Sequence, residues 1–414
     1  MTAAPPAPVK AMTWRTPAVI LLGGCLVSAI GFGPRSTLGF FLTPMSVEHG
    51  WGRDIFGLAL ALQMLLWGVG QPIAGAWADR YGAVPVLIGG AVLYAIGVVW
   101  MAYSTTAGEL YLSAGVLIGF GLAGSSFAVV LGAFGKLMPV KWRSLSFGAG
   151  TAAGSFGQFI FSPLAVGMIG TLGWQLTLVL FAGVVMLIVP FAFALASPAK
   201  PTGAMHAMAR PQSVRQAVVE AFGHRSYLLL VLGYFTCGFQ LFFITVHLPS
   251  YLVDRGLSAE TGAWTIAVIG LFNIIGSLGA GWLSDRMQKR YLLAAIYFTR
   301  SLAILAFISL PPSLLTALLF GAVMGLLWLS TVPPTNGLVV VMFGTPWLTM
   351  LSGIAFLSHQ VGGFLGVWLG GVLFERTGSY EVVWWCAILL GVLSALINLP
   401  IVEKPVQRLS PVPA

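Results

Sequence analysis

The sequence predicts an all-α integral membrane protein with twelve transmembrane helices in two halves of six. Three observations carry this. Of 414 residues, 58% are hydrophobic and only 7% are charged, whereas soluble domains carry about 25% charged residues. The apolar residues fall into twelve stretches, each bounded by charge or Pro/Gly clusters and long enough to cross a bilayer core as a helix. The basic residues alternate between the connections in the way that sets membrane orientation.

In chain order the expected spans are 17–43, 54–78, 84–103, 110–137, 144–170 and 174–196, then 226–253, 262–283, 291–310, 313–343, 347–374 and 382–402. Residues 1–16 form a Pro/Ala-rich tail with Lys10 and Arg15. The apolar run behind it is too long for a signal-peptide core and lacks a cleavage site, so it reads as an uncleaved first span. Residues 197–225 are the longest polar segment and divide two six-helix bundles, 17–196 and 226–402, with a tail at 403–414. Within that segment, 213–222 has the pattern of a short amphipathic helix lying on the membrane surface and tethering the halves.

With the N-terminus inside, fifteen basic residues fall on the cytoplasmic side: Lys10, Arg15, Arg80, Lys136, Lys141, Arg143, Lys200, Arg210, Arg215, Arg225, Arg286, Lys289, Arg290, Lys404 and Arg408. Three face outward, Arg53, Arg255 and Arg376. This bias puts both termini in the cytoplasm of a multi-pass protein of the cell membrane, expected to be a bacterial inner membrane. It also accounts for the net charge of +9 as an insertion signal, so nucleic-acid binding needs no hypothesis. Fifty-two glycines suit helices that approach closely in lipid. Cys25, Cys237 and Cys386 lie in separate spans without a C-x-x-C and read as packing residues. No metal-spaced His/Cys cluster, paired intramembrane carboxylates, nucleophile with a base, or phosphate loop is present. The expectation is therefore no cofactor, no enzyme activity and no ATP-driven transport. A sensor would need a cytoplasmic output domain, and no segment supplies one. The expected partners are a small solute, protons and lipid, with the chain acting as a monomer.

Only two basic residues lie deep in spans, Arg35 and Arg300, and no Asp or Glu does; Asp54, Asp79, Asp285 and Glu375 sit at span ends. A guanidinium stays charged, and charge at mid-membrane costs on the order of 3 kcal/mol or more. Such a cavity favours an anion. Arg35 lies ~27 Å along the helix from Pro17, and two readings stand: substrate or gating contact, or snorkelling to the outer side. Arg300 lies ~14 Å past Tyr291, where it either touches substrate or braces the eighth span through Asn273. His359, ~18 Å past Trp347, and His247 are the side chains within the spans that titrate near neutral pH; each is a proton carrier or an interhelical hydrogen bond. Gln240 lies seven residues before His247, on the same helix face. Gln63, Gln158, Gln240, Asn273 and Asn336 are otherwise interhelical glue. Trp67, Trp264, Trp328 and Trp368 read as packing or interface anchors.

The halves repeat. Gly75-Ala-Trp-Ala-Asp79-Arg80-Tyr-Gly82 follows the second span, and Gly281-Trp-Leu-Ser-Asp285-Arg286 follows the eighth. In each G-x-x-x-D-R the glycine lets helices touch, and the carboxylate and basic group can form a clasp that holds one conformation and releases another. The repeat resembles the loop signature of the major facilitator superfamily. The resemblance implies two six-helix bundles rocking about a central cavity, with gating by these residues.

Within that superfamily the chain resembles the monocarboxylate transporters and the oxalate/formate antiporters. The resemblance rests on Pro34-Arg35-Ser36 with Gly39-Phe40-Phe41, on Trp142-Arg143 through Gly154-Ser155, on Phe272-Asn273 with Gly281-Trp282, and on Ser358-His359-Gln360. It adds Arg143 to the gating set. The family's eighth-span arginine falls on Ser277, its neighbouring acid on Asn273, and the antiporters' eleventh-span lysine on His359; the acidic-glycine-aromatic signature before the first span has no counterpart. The leading expectation is a secondary transporter of a small organic anion, most simply a monocarboxylate, with proton symport. Anion exchange without protons and export of lipophilic compounds stay open.

Overall fold

The structure is a computed structural model that describes residues 15–51, 53–196 and 212–406. Lys10, Lys200, Arg210 and Arg408 lie outside the described residues, as do most of the central segment and both tail ends. Among the described residues twelve helices are long and apolar enough to span a membrane: α1 Pro17–Phe41, α2 Ile55–Tyr81, α3 Ala83–Ala102, α4 Ala107–Leu137, α5 Val140–Leu172, α6 Trp174–Leu195, α7 Arg225–Leu248, α8 Trp264–Ser284, α9 Lys289–Ser309, α10 Leu314–Phe343, α11 Leu348–Phe374 and α12 Glu381–Asn398. Their outward faces carry leucine, isoleucine and aromatic side chains, such as Leu22, Ile96, Leu180, Leu315 and Leu389, as lipid contact requires.

The packing repeats as the sequence does. In the first half α1 lies on α5, α2 on α4 and α3 on α6; in the second, α7 lies on α11, α8 on α10 and α9 on α12. The halves meet along two lines, α2 with α11 and α5 with α8. Arg15 bonds the Ala194 carbonyl at the end of α6 at 3.3 Å, and Val406 bonds the Met342 carbonyl at the end of α10 at 2.9 Å. Both described chain ends thus lie on one face, called here the terminal face. The short helix Val214–Phe222 is held by a reciprocal cap between Ser213 and Gln216, with Ala217 and Ala221 packed inward and Val219 and Phe222 exposed.

Two local departures shape the interior. The first span turns at its far end: Pro34 lies in the last turn of the helix Pro17–Ser36, followed by a tight turn at Leu38–Phe41 and the helix Leu42–His49. The tenth span is broken, with helix at Leu314–Leu327 and again at Val332–Phe343. Pro333 and Pro334 have no N–H, and their rings crowd the preceding turn, so the chain cannot run through as one helix.

Among the described residues, close contacts between the halves run from the terminal face to mid-depth. A Cβ on Gly75 would sit 2.6 Å from the Thr349 carbonyl, and one on Gly281 would sit 2.8 Å from the Ser144 carbonyl; any larger residue there would part the helices. Gly353 packs on Gln71, and Gln360 bonds the Met64 carbonyl at 3.1 Å. These contacts shut the space between the halves off from the terminal face.

Candidate functional site

Between the halves lies a cavity of about 130 Å³ lined from both of them. Arg35 enters it from the end of α1, its guanidinium carbon 5.5 Å from the Trp67 ring centre and 5.8 Å from that of Phe32. Trp67 is itself fixed by donating to Gln71 Oε1 at 3.1 Å, an oxygen that also accepts from Ser126 at 2.8 Å. The rings hold the flat guanidinium by cation–π contact and leave its Nε buried without a hydrogen-bond partner. Among the described residues no carboxylate lines the cavity, and the one ion pair is Lys136–Asp79.

His359 reaches the same cavity from α11. Its ring stacks on Phe356 at 5.4 Å and 11°, and lies 5.1 Å from Tyr234 and 5.7 Å from Phe242. Its Nδ1 is 3.2 Å from Gln360 Oε1. The Gln360 amide nitrogen donates to the Met64 carbonyl, so the oxygen faces the histidine and Nδ1 must carry the proton. His359 Nε2 is buried without a hydrogen-bond partner, and the Cys237 thiol lies against the same imidazole. Asn273 completes the floor. It donates to Ser155 at 2.5 Å and accepts from Ser277 at 3.1 Å and from the Leu329 amide at 3.0 Å, joining α5, α8 and α10.

Three expected residues lie elsewhere. His247 Nε2 bonds the Val367 carbonyl at 2.9 Å, tying α7 to α11. Gln240 bonds the Ala387 carbonyl at 2.9 Å, tying α7 to α12. Arg300 is fully buried outside the cavity and donates from Nε and Nη2 to the Leu327 and Trp328 carbonyls that the break in α10 sets free. Arg300→Met is expected to leave these carbonyls bare and lower stability by on the order of 2 kcal/mol, read as a lower thermal unfolding midpoint in detergent. Unchanged stability with weakened ligand binding would instead place Arg300 in ligand recognition.

The two repeated motifs do different things. Asp79 is buried and accepts from Lys136 at 2.6 Å, from the Thr349 hydroxyl at 2.8 Å and from the Thr349 and Met350 amides at 3.3 and 2.8 Å. It closes the terminal face by capping the N-terminus of α11, where the helix dipole favours an anion. Gly82, at φ +94°, turns the chain sharply into α3. Arg80 is exposed over Tyr81. In the second motif Asp285 is exposed, and Arg286 lies over the Trp282 ring at 3.8 Å; Arg143, across at the start of α5, keeps a buried Nε without a partner. Lys136, Thr349, Tyr234 and Gln360 are site or gate residues that sequence reasoning did not single out. Apart from the Gln360–His359 pair, their partners are distant in sequence, so spacing carries no signal for them.

The sequence model of the Major Facilitator Superfamily matches residues 24–367. An uncharacterized MFS-type transporter, YcxA of Bacillus subtilis, is 28% identical over 400 residues, 91% of this chain and 94% of that protein. Monocarboxylate transporter 11 of Mus musculus is 27% identical over 381 residues, 88% of this chain and 82% of that protein. Among solved structures, the E. coli fucose:proton symporter FucP superposes with a TM-score of 0.71 at 16% identity, covering 93% of this chain and 98% of that one. The proton:xylose symporter XylE gives 0.68 at 17%, covering 94% and 96%. These relatives and structures are transporters, not enzymes. A family match over most of the chain, twelve membrane helices in two repeated halves, and a cavity between them place this chain in the major facilitator superfamily.

Proposed function

We propose that the protein is a secondary transporter that moves a small monocarboxylate by alternating access, with proton symport. The observation that carries this is Arg35: a lone guanidinium at the cavity wall with no carboxylate beside it. Its fork matches a carboxylate through two parallel hydrogen bonds, and a bound anion supplies the missing counter-charge. The monocarboxylate transporters among the relatives support this substrate class. His359 carries the symported proton, because its Nε2 is a buried base without a partner, whereas His247 already spends its Nε2 proton on a backbone carbonyl. On this reading the basic terminal face is the cytoplasmic one, and the conformation described here is shut on that side. The Bacillus relative supports a bacterial cell membrane as the location.

The test is uptake of labelled acetate, lactate and pyruvate into proteoliposomes, with and without an outside-acid gradient and with and without internal anion. Gradient-driven accumulation is expected. Uptake that requires internal anion and ignores the gradient would establish exchange instead, and no carboxylate uptake would refute the reading. His359→Gln is expected to lose gradient-driven accumulation while keeping anion exchange. Accumulation by that variant at every pH would remove His359 from the proton path.

A further inference from the structure

The cavity wall goes beyond what capture of a carboxylate requires. Four rings drawn from α1, α2, α4 and α11 touch in a closed circuit: Phe32 to Trp67 at 6.5 Å, Trp67 to Phe356 at 5.1 Å, Phe356 to Phe127 at 6.2 Å and Phe127 to Phe32 at 6.3 Å. Their planes are tilted or perpendicular, with angles of 51°, 53°, 90° and 78°. Tyr234, Phe242 and Trp328 add three more aromatic rings to the lining, against two aliphatic side chains among the described residues, Leu241 and Leu329. Arg35 is held on the Phe32–Trp67 side of this circuit. His359 is 4% exposed, stacks on the Phe356 side, and keeps its Nε2 unpartnered.

We infer that the substrate is an aromatic monocarboxylate of a single ring, such as benzoate. This rests on the anion reading above and narrows it. Rings set at mixed angles offer both faces and edges to a flat guest, which is the geometry aromatic pairs prefer. The size agrees: a cavity of about 150 Å³ takes one benzene, and this one is about 130 Å³. Acetate or lactate would bond Arg35 but leave most of the ring wall against water. A single permanent cation in the lining fits a single carboxylate. His359 Nε2 is placed to accept a hydrogen bond from a ring hydroxyl, or to hold the coupled proton beside the bound anion.

Binding separates these ideas without relying on flux, since aromatic acids cross lipid unaided. Purified full-length protein in detergent is titrated by calorimetry with benzoate, acetate, lactate, cyclohexanecarboxylate and benzamide. Benzoate is expected to bind about tenfold or more tighter than acetate, lactate and cyclohexanecarboxylate, with no measurable binding of benzamide. Phe356→Leu and Trp67→Leu are expected to reduce the ratio of benzoate to acetate affinity by about tenfold. Equal affinity for cyclohexanecarboxylate, or tighter binding of acetate or lactate, would overturn the aromatic assignment and leave the anion reading standing. Benzamide binding as well as benzoate would overturn the anion reading, and the inference with it.

Discussion

Arg35→Ala is expected to abolish carboxylate uptake while the protein still inserts and folds. Arg35 is the one permanently charged cation lining the cavity, so its loss removes the only fixed attraction for an anion there. Truncating one partner of a buried, hydrogen-bonded charge pair costs about 2–5 kcal/mol, which corresponds to about thirtyfold to several thousandfold in affinity. Folding should survive because Arg35 makes ring contacts rather than an ion pair. Arg35→Lys keeps the charge but not the planar fork, and should fall in between. Uptake is measured in proteoliposomes and folding by size-exclusion profile and unfolding midpoint. Wild-type uptake by Arg35→Ala would reduce the residue to a structural anchor between two rings.

Asp79→Asn is expected to open the terminal face. One buried carboxylate holds an ammonium from α4, a hydroxyl from α11 and two backbone amides at the start of α11. The isosteric amide keeps one acceptor but loses the charge that pairs with Lys136 and the helix dipole. Breaking a buried pair from one side costs about 3–5 kcal/mol. A loss of even 3 kcal/mol in this state alone shifts the conformational equilibrium by about a hundredfold. In a background lacking the native cysteines, Ser144→Cys places a thiol where α5 meets α8 at this face. Adding Asp79→Asn should raise its labelling by a membrane-impermeant maleimide applied from the terminal side, and lower transport at least about tenfold. Labelling and transport at the level of the Ser144→Cys protein alone would show that the clasp does not set the gate.

Much of this architecture can be read from sequence because the bilayer imposes it. Twelve apolar runs become twelve helices since a backbone in lipid has few other options. The paired Gly-x-x-x-Asp-Arg motifs locate the places where the halves meet. What cannot be read is which neighbour each polar group meets. Gln240 and His247 do share a helix face, but that face looks at α12 and α11 rather than at the cavity. The two motifs are alike in letters and both glycines pack across the halves, yet only the first motif's carboxylate is buried in a clasp, because Lys136 and the N-terminus of α11 are brought to Asp79 by tertiary packing alone. The break in α10 did have a local signal, Pro333-Pro334, while Arg300 as the group that caps the freed carbonyls had none.

Among the described residues no acidic side chain stands beside Arg35, and this has an electrical consequence. An empty cavity carries one positive charge, a cavity holding a monocarboxylate is neutral, and one holding that anion plus a proton on His359 is positive again. Import of a bare anion would run against an inside-negative membrane voltage at about 2.3 kcal/mol per 100 mV, roughly fiftyfold in accumulation. The return of the empty, positive carrier would be the step that feels this force. A proton travelling with each anion makes the complete cycle voltage-neutral, so that accumulation follows the pH gradient alone.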